Sequence, residues 1–154
     1  MNAIGIDLGG TKMEAQVFDY AWSVAVRRRR DTPKDYADLV TELADLIRWA
    51  DAQTSGTVPV GIGAAGLVNP KTGLAQTANL GATGQLFPAD IARTIGRPVT
   101  YMNDCRALAL SEAIFGQGKG RRTVMALILG TGVGGGIAVG GTILQGPTHT
   151  GGEF

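Results

Sequence analysis

The sequence predicts an α/β domain in which helices pack on a mixed five-stranded sheet. Residues 13–18 alternate apolar and polar side chains, as a half-buried strand does. Over residues 36–50 the apolar positions recur every three or four residues, which is the stripe of an amphipathic helix. Three short strands before this helix, and alternating strands and helices after it, favour a sheet that carries helices.

Each element is predicted from its own pattern. A first strand runs into the glycines at 9 and 10, and residues 13–18 form the second strand. Alternation at Trp22, Val24 and Val26 predicts a third. The helix ends near the breakers at 54–56. The later elements are a strand at 58–63, a helix at 88–95, a strand at 99–102 and a helix at 105–115.

Residues 116–122 are rich in glycine and charge and predict a domain boundary. Residues 1–118 form the predicted N-terminal lobe, and 119–154 begin a second lobe that is cut short. In that second lobe the strand–turn–strand pattern of the N-terminus starts again, with a glycine turn and then a strand at 137–143. A hairpin without its parent sheet is expected to dock, to swap between chains or to be mobile, so a homodimer or swapped oligomer is predicted.

Composition excludes several classes of protein. The net charge of +1 gives no overall field that would recruit nucleic acid or an anionic membrane, and the arginine run at 27–30 is typical of a solvated strand end. The single cysteine, Cys105, can form no internal disulfide, which favours a reducing cytoplasm. The chain also contains no apolar run of about 18 residues.

Two glycine-rich segments, residues 4–12 and 127–136, predict a phosphate-binding device. Glycine allows tight turns and lets backbone N–H groups approach an anion. Two such turns suggest a triphosphate that is held from two sides. Asp7, at the end of a buried strand, is a candidate for holding hydrated Mg²⁺ beside the phosphates. For a single glycine turn, an ordinary polar hairpin is the alternative.

Two other nucleotide motifs are excluded. The run GTGVGGG at residues 130–136 matches the spacing of a dinucleotide-binding fingerprint, but that fingerprint needs a helix directly after the glycines. Here a strand is predicted instead. A Walker-type loop also fails, because no Gly-Lys-Ser/Thr follows.

Polar residues near two element ends are candidates for the chemistry. Asp104 follows a buried strand, and its carboxylate could take a proton from a hydroxyl that attacks a phosphoryl group. Alternatively, Asn103 or Asp104 caps the following helix. His149 and Glu153 lie in a glycine–threonine loop and could meet sugar hydroxyls, although such loops usually face solvent.

Five motifs together give the chain a resemblance to the ROK family of sugar kinases, within the actin and hexokinase superfamily. They are GIDLGGTK at 5–12, GIGAAG at 61–66, ND at 103–104, LGTGVGGG at 129–136 and GGEF at 151–154. The resemblance implies an RNase H-like (actin-like ATPase) fold and phosphorylation of a hexose or N-acetylhexosamine by ATP and Mg²⁺. The segments at 77–86 and 109–113 look most similar to bacterial N-acetylglucosamine kinases.

The resemblance also implies roles for individual residues. Asp104 matches the general base. The sugar site is assigned Gly66, Asn79, Asn103, Asp104 and Glu153. The ATP phosphates are assigned Asp7, Gly9, Gly10, Thr11, Lys12, Thr131, Gly132, Val133, Gly134 and Gly135, with Asp7 also at the metal.

The chain departs from the family pattern at two places. Residues 103–106 read NDCR where NDAN is common, so Arg106 stands where a small amide is usual. The chain also stops at Phe154, before the cysteine cluster that binds structural zinc, so Zn²⁺ is expected only in a full-length chain. Little or no kinase activity is therefore expected of these residues alone. The alternatives are a non-catalytic sugar- or nucleotide-binding module and a sugar-sensing ROK protein.

Overall fold

The structure is a computed structural model that describes residues 1–129, 133–147 and 150–153. It divides into two compact units, Met1–Met102 and Asn103–Phe154. Helix α3 (Asp104–Ile114) belongs to the second unit because it packs on the strands that follow it. The units thus divide earlier in the chain than the predicted domain boundary between 118 and 119, which stays a prediction.

The first unit contains the mixed five-stranded sheet that the sequence predicts. The first seven strands of the chain are β1 (Ala3–Leu8), β2 (Lys12–Phe18), β3 (Val24–Asp31), β4 (Val60–Ala64), β5 (Leu67–Val68), β6 (Ala75–Gln76) and β7 (Thr100–Asn103), and five of them form this sheet. The sheet order is β3-β2-β1-β4-β7, and β5 pairs with β6 separately. β1, β2 and β3 are antiparallel, whereas β4 is parallel to β1. Because Leu8 lies beside Ala64, β1 and β4 end at the same edge of the sheet.

Two helices of the first unit begin and end where local chemistry dictates. α1 (Tyr36–Asp51) starts after Asp35, whose carboxylate accepts hydrogen bonds from the backbone N–H of Ala37 and Asp38 at 2.8 and 3.2 Å. α2 (Phe87–Ile95) ends at Gly96, which takes a left-handed conformation with φ 75°. α2 matches its predicted range to within one residue, whereas α1 ends at Asp51, three residues before the predicted breakers at 54–56.

The core of the first unit lies between the sheet and these helices. Alternate residues of β1, β2 and β4 are buried, as a sheet with one packed face requires. The largest fully buried side chains are Phe87, Ile4, Leu8, Met13, Leu39, Leu43, Leu46, Ile47, Ile62, Ile91 and Val17. This core holds the β1–β4 edge in place.

The second unit contains α3 and a three-stranded antiparallel sheet. The strands are β8 (Thr123–Leu129), β9 (Val133–Val139) and β10 (Thr142–Ile143), in the order β10-β9-β8. α3 packs on β8 and β9, and Ala109, Ala126 and Ala138 are buried in this unit.

The predicted strand at 137–143 is wrong. β9 begins at Val133 and ends at Val139, and a turn at Gly140 and Gly141 then leads to β10. Both turn glycines have positive φ, 58° and 76°, which side-chain-bearing residues rarely adopt. The glycines at 134–136, predicted as part of a turn, therefore lie inside β9.

The start of the third strand is also corrected. Alternation predicted that Trp22 belongs to the strand, but β3 begins at Val24. Trp22 lies in the preceding turn at φ 62°, where the Asp19 carboxylate accepts from the N–H of Ala21 and Ser23 at 2.8 and 2.9 Å.

The arginine run at 27–30 lies within β3 and makes contacts inside the first unit. Arg29 donates to Glu14 at 2.8 Å, Arg30 donates to Glu42 at 2.7 Å, and the Arg28 guanidinium lies 4.3 Å from the ring centroid of Trp49. The run therefore has a structural role, because its arginines contact side chains of β2 and α1.

No helix in the described ranges has both the length and the apolar character needed to cross a membrane.

Candidate active site

In the β1–β2 turn of the first unit, two backbone N–H groups point away from the side chains that hold the turn. Thr32 Oγ1 donates to the carbonyl of Gly9, and Lys34 Nζ donates to the carbonyl of Gly10, both at 2.8 Å. The peptide bonds are trans, so each N–H points opposite to the carbonyl of its own peptide plane. The N–H groups of Gly10 and Thr11 therefore point away from Thr32 and Lys34, as donors to an anion must.

Gly10 and Asn79 are in close contact. A Cβ built on Gly10 would lie 2.6 Å from Cβ and 2.9 Å from the carbonyl oxygen of Asn79. The loop that carries Asn79 is closed by two bonds, from Thr77 Oγ1 to the Leu80 carbonyl at 2.7 Å and from Thr83 Oγ1 to the Thr77 carbonyl at 2.9 Å. A residue assigned to phosphate and one assigned to sugar thus meet in this unit.

Gly66 packs against the start of the same loop. Its φ is 132°, and an added Cβ would lie 2.6 Å from the Gln76 carbonyl oxygen and 2.8 Å from Cγ2 of Thr77. Both the dihedral angle and the space exclude a side chain. Gly66 follows β4, so it lies at the edge of the sheet where β1 and β4 end.

Asp7 provides an exposed carboxylate on β1, opposite Glu14 on β2. Within the described ranges, no group of three or more His, Cys, Asp and Glu side chains is placed to hold a metal ion. Mg²⁺ commonly binds through one or two carboxylates together with substrate phosphates and waters, so Asp7 fits such a site. Lys12 forms an exposed ion pair with Asp31.

Asn103, and not Asp104, is the N-cap of α3. The side-chain oxygen of Asn103 accepts from the N–H of Cys105 at 2.9 Å and of Arg106 at 3.2 Å. Asp104 is the first helical residue, and its Oδ1 accepts a 2.9 Å bond from the N–H of Cys105. A carboxylate at this end of a helix is stabilised by the helix dipole. The helix cap and the candidate base therefore lie on different residues, with the cap on Asn103 and the carboxylate on Asp104.

Glycines of β9 let the first turn of α3 lie directly on the strand. A Cβ on Gly134 would lie 2.5 Å from Sγ of Cys105, and one on Gly136 would lie 2.6 Å from the Cys105 carbonyl oxygen and 2.7 Å from Cα of Arg106. Gly134 and Gly136 share one face of β9 because strand residues alternate. This glycine face determines how closely the start of α3, which carries Asp104, packs on β9.

Arg106 and Glu153 place opposite charges near the same helix start. Arg106 is buried, and its guanidinium donates to the carbonyl of Leu144 at 3.1 Å. Burial raises the pKa of Glu153, the Arg106 charge lowers it, and the Asp104 charge raises it. Asn103, Asp104 and Glu153, all assigned to the sugar site, thus belong to one neighbourhood of the second unit.

Residues 3–154 match the ROK family over almost the whole chain. This chain belongs to the ROK family. The N-acetyl-D-glucosamine kinase of Yersinia enterocolitica is 45% identical over 152 residues, which are 97% of this chain and 50% of that kinase. The ROK chain described here therefore spans about half the length of the curated relatives it matches.

Two solved structures are similar to this ROK chain. The ROK family glucokinase from Streptomyces griseus, in complex with glucose and AMPPNP, has a TM-score of 0.86 at 32% identity and is matched over 99% of this chain and 49% of that chain. The ROK hexokinase from Thermus thermophilus has a TM-score of 0.88 at 31% identity, over 99% of this chain and 52% of that one. The predicted actin-like ATPase fold is thereby confirmed.

Several predicted residues of the ROK chain fall outside the described ranges. Thr131, Gly132 and His149 are among them, so their assignments stay predictions. Of the other phosphate residues, Val133, Gly134 and Gly135 lie in β9 and not in a turn.

Sequence reasoning missed Thr32 and Lys34, which hold the glycine turn of the first unit. Their contacts join residues more than twenty positions apart, and no local pattern signals them. Arg106 was signalled only as a departure from the family pattern, without a partner.

Proposed function

We propose that this ROK protein provides the base-bearing half of an ATP-dependent sugar kinase, in which Asp104 takes the proton from the attacking sugar hydroxyl. One observation carries the proposal: Asn103 caps α3, so the Asp104 carboxylate is not needed as the cap. A general base requires such a carboxylate within hydrogen-bond reach of the substrate hydroxyl.

The phosphate side of the reaction is assigned to the first unit. As the hydroxyl oxygen bonds to the γ-phosphorus of ATP, the bond to the β–γ bridging oxygen breaks and ADP leaves. The N–H groups of Gly10 and Thr11 are proposed to donate to phosphate oxygens, and the support is that both point away from Thr32 and Lys34. Asp7 would hold a magnesium ion, which would supply positive charge to neutralise the phosphates. The ATP assignment is supported by the AMPPNP in the Streptomyces griseus complex.

The substrate is proposed to be a hexose or N-acetylhexosamine of the N-acetylglucosamine or glucose type. The Yersinia enterocolitica kinase is named for N-acetyl-D-glucosamine, and the Streptomyces griseus enzyme was solved with glucose. Asn103 and Glu153 in the second unit, and Gly66 and Asn79 in the first, are assigned to the sugar. Amide and carboxylate groups suit the paired donors and acceptors of sugar hydroxyls.

A graft tests the proposal. Residues 1–154 replace the matching half of the Yersinia enterocolitica kinase, and ADP release is measured with N-acetylglucosamine, glucose and no sugar. The proposal expects sugar-dependent turnover by the graft and little or none by this chain alone. A folded graft that binds sugar without turnover would favour the alternative of a non-catalytic binding module.

We also propose that the isolated chain forms a homodimer or swapped oligomer in the cytoplasm. The support for self-association is an exposed apolar face on the second unit, where Met125, Leu127 and Leu129 of β8 are 51%, 47% and 75% exposed. Light scattering after size-exclusion chromatography tests it, and a monomer at all concentrations up to the millimolar range would contradict it.

A further inference from the structure

We infer that Arg106 is a positioning residue that holds the described parts of segment 144–153, which are residues 144–147 and 150–153, against the start of α3 and so places the Glu153 carboxylate beside Asp104. The inference rests on the proposed function, because it gives the arginine that departs from the family pattern a task at the sugar site. It goes beyond that function by assigning the task to a residue that need not touch sugar or ATP.

The geometry begins with the anchoring bond. Arg106 lies in the first turn of α3, is only 7% exposed and donates through its guanidinium to the Leu144 carbonyl at 3.1 Å. Leu144 is also tied to β9, since its N–H donates to the Ile137 carbonyl at 2.9 Å. The beginning of segment 144–153 is therefore fixed to both the helix and the sheet.

The segment then folds back onto this anchored carbonyl. The N–H of Gly151 donates to the Gln145 carbonyl at 2.8 Å. A Cβ on Gly151 would lie 2.9 Å from the oxygen of Leu144, so the returning backbone passes against the carbonyl that Arg106 holds. The N–H of Glu153 donates to the Thr150 carbonyl at 3.1 Å and closes the last turn. Loss of the Arg106 bond would release this carbonyl from the helix and remove the fixed support on which the returning backbone packs.

The charges favour the same arrangement. Oε1 of Glu153 is buried and has no hydrogen-bond partner among the described residues, a costly environment for a carboxylate. Near Glu153, α3 contributes the negative Asp104, the positive Arg106 and the Cys105 thiol, while β8, β9 and β10 contain no titratable residue. Burial raises the pKa of Glu153 most, and Arg106 opposes that rise. Arg106 thus favours the ionised form that accepts from a sugar hydroxyl.

The test needs no turnover. In the folded chain with ¹³C-labelled glutamate carboxyls, the titration of Glu153 is followed by NMR in wild type and in R106Q, R106K and R121Q. We expect R106Q to raise the Glu153 midpoint and R106K to stay near wild type, because lysine keeps the charge. The exposed Arg121 is the matched control, and R121Q should change nothing. An unchanged midpoint in R106Q would overturn the inference.

A second readout reports on position and not on charge. Because Gly151 donates to Gln145 only when the segment is folded back, its amide should exchange on the order of tenfold faster in R106Q. Should R106Q fail to fold, a double-mutant cycle of E153Q with R106M, which removes the charge but keeps a long side chain at the buried site, is measured by urea denaturation. A coupling energy supports the inference, and additivity overturns it.

The effect of Arg106 on sugar binding is measured separately, in the graft. R106Q should raise the sugar KM by about tenfold and change kcat less, since positioning of Glu153 serves binding. An NMR response without a KM effect would overturn the sugar part of the inference. An inactive wild-type graft would count against the proposed function and leave the NMR result standing.

Discussion

Gly136 of β9 lies so close to Cys105 of α3 that a Cβ on the glycine would come within 2.6 Å of the cysteine carbonyl oxygen. The neighbouring atoms are backbone, so they cannot turn aside as the end of a flexible side chain would. The glycine run of β9 therefore determines how closely the helix start with Asp104 packs on its sheet.

Replacing Gly136 with alanine should destabilise the second unit by about 1–3 kcal/mol, as overpacking does. Urea denaturation measures the free energy of unfolding, and hydrogen exchange in α3 locates the damage. Gly61→Ala is the matched control, because Gly61 also lies in a strand but has open space around its Cβ position. Equal effects of the two substitutions would refute the packing role of Gly136.

Asn103→Ala should lower stability by about 1 kcal/mol, because α3 loses its cap. Asp104→Asn should lower it less, since that side chain is not the cap. Thermal unfolding of the two variants measures the difference. A larger stability loss for Asp104→Asn than for Asn103→Ala would contradict the assignment of Asn103 as the cap.

Gly10→Ala should displace the loop of Asn79, because the new methyl would meet Asn79 Cβ at 2.6 Å. We expect shifted amide resonances over residues 77–83 and weaker nucleotide binding. Gly56→Ala, which has nothing within 4 Å, should leave both unchanged. Unshifted loop resonances in Gly10→Ala would contradict the contact.

The Cys105 thiol should react slowly with disulfide reagents in the folded chain. Burial, and then the Asp104 charge, raise its pKa to about 11 from 9.0, so at pH 8 only about one thiol in a thousand is ionised. The folded state holds this proton more tightly than the unfolded state does. Stability should therefore fall as the pH rises from about 9 to about 11, and Cys105→Ala should remove that slope. Rapid native labelling at pH 8 would contradict a buried, protonated thiol.

Most of the fold could be predicted because its signals are local. The helix of Tyr36–Asp51 follows from apolar spacing and from Asp35 before it. The places of the first four strands follow from the alternation of apolar and polar residues and from the glycine turns. These features depend on neighbours in the sequence, which a single chain displays.

The errors lie where distant contacts decide the outcome. The glycines of β9 resemble a turn in the sequence, but α3 occupies the space in which their side chains would lie. Likewise, the partner of Arg106, the carbonyl of Leu144, is remote in the sequence. The error at Trp22 is local instead: the residue fits the alternation of a strand, but the nearby Asp19 carboxylate stabilises a turn there.

The most direct test of the central claim is turnover by the grafted kinase with and without Asp104→Asn. Asparagine keeps the size of the side chain but cannot take the proton of the sugar hydroxyl. We predict that kcat falls on the order of 100-fold or more, while sugar affinity and the fold are nearly unchanged. Near-normal kcat in the folded Asp104→Asn graft would contradict the assignment of Asp104 as the base.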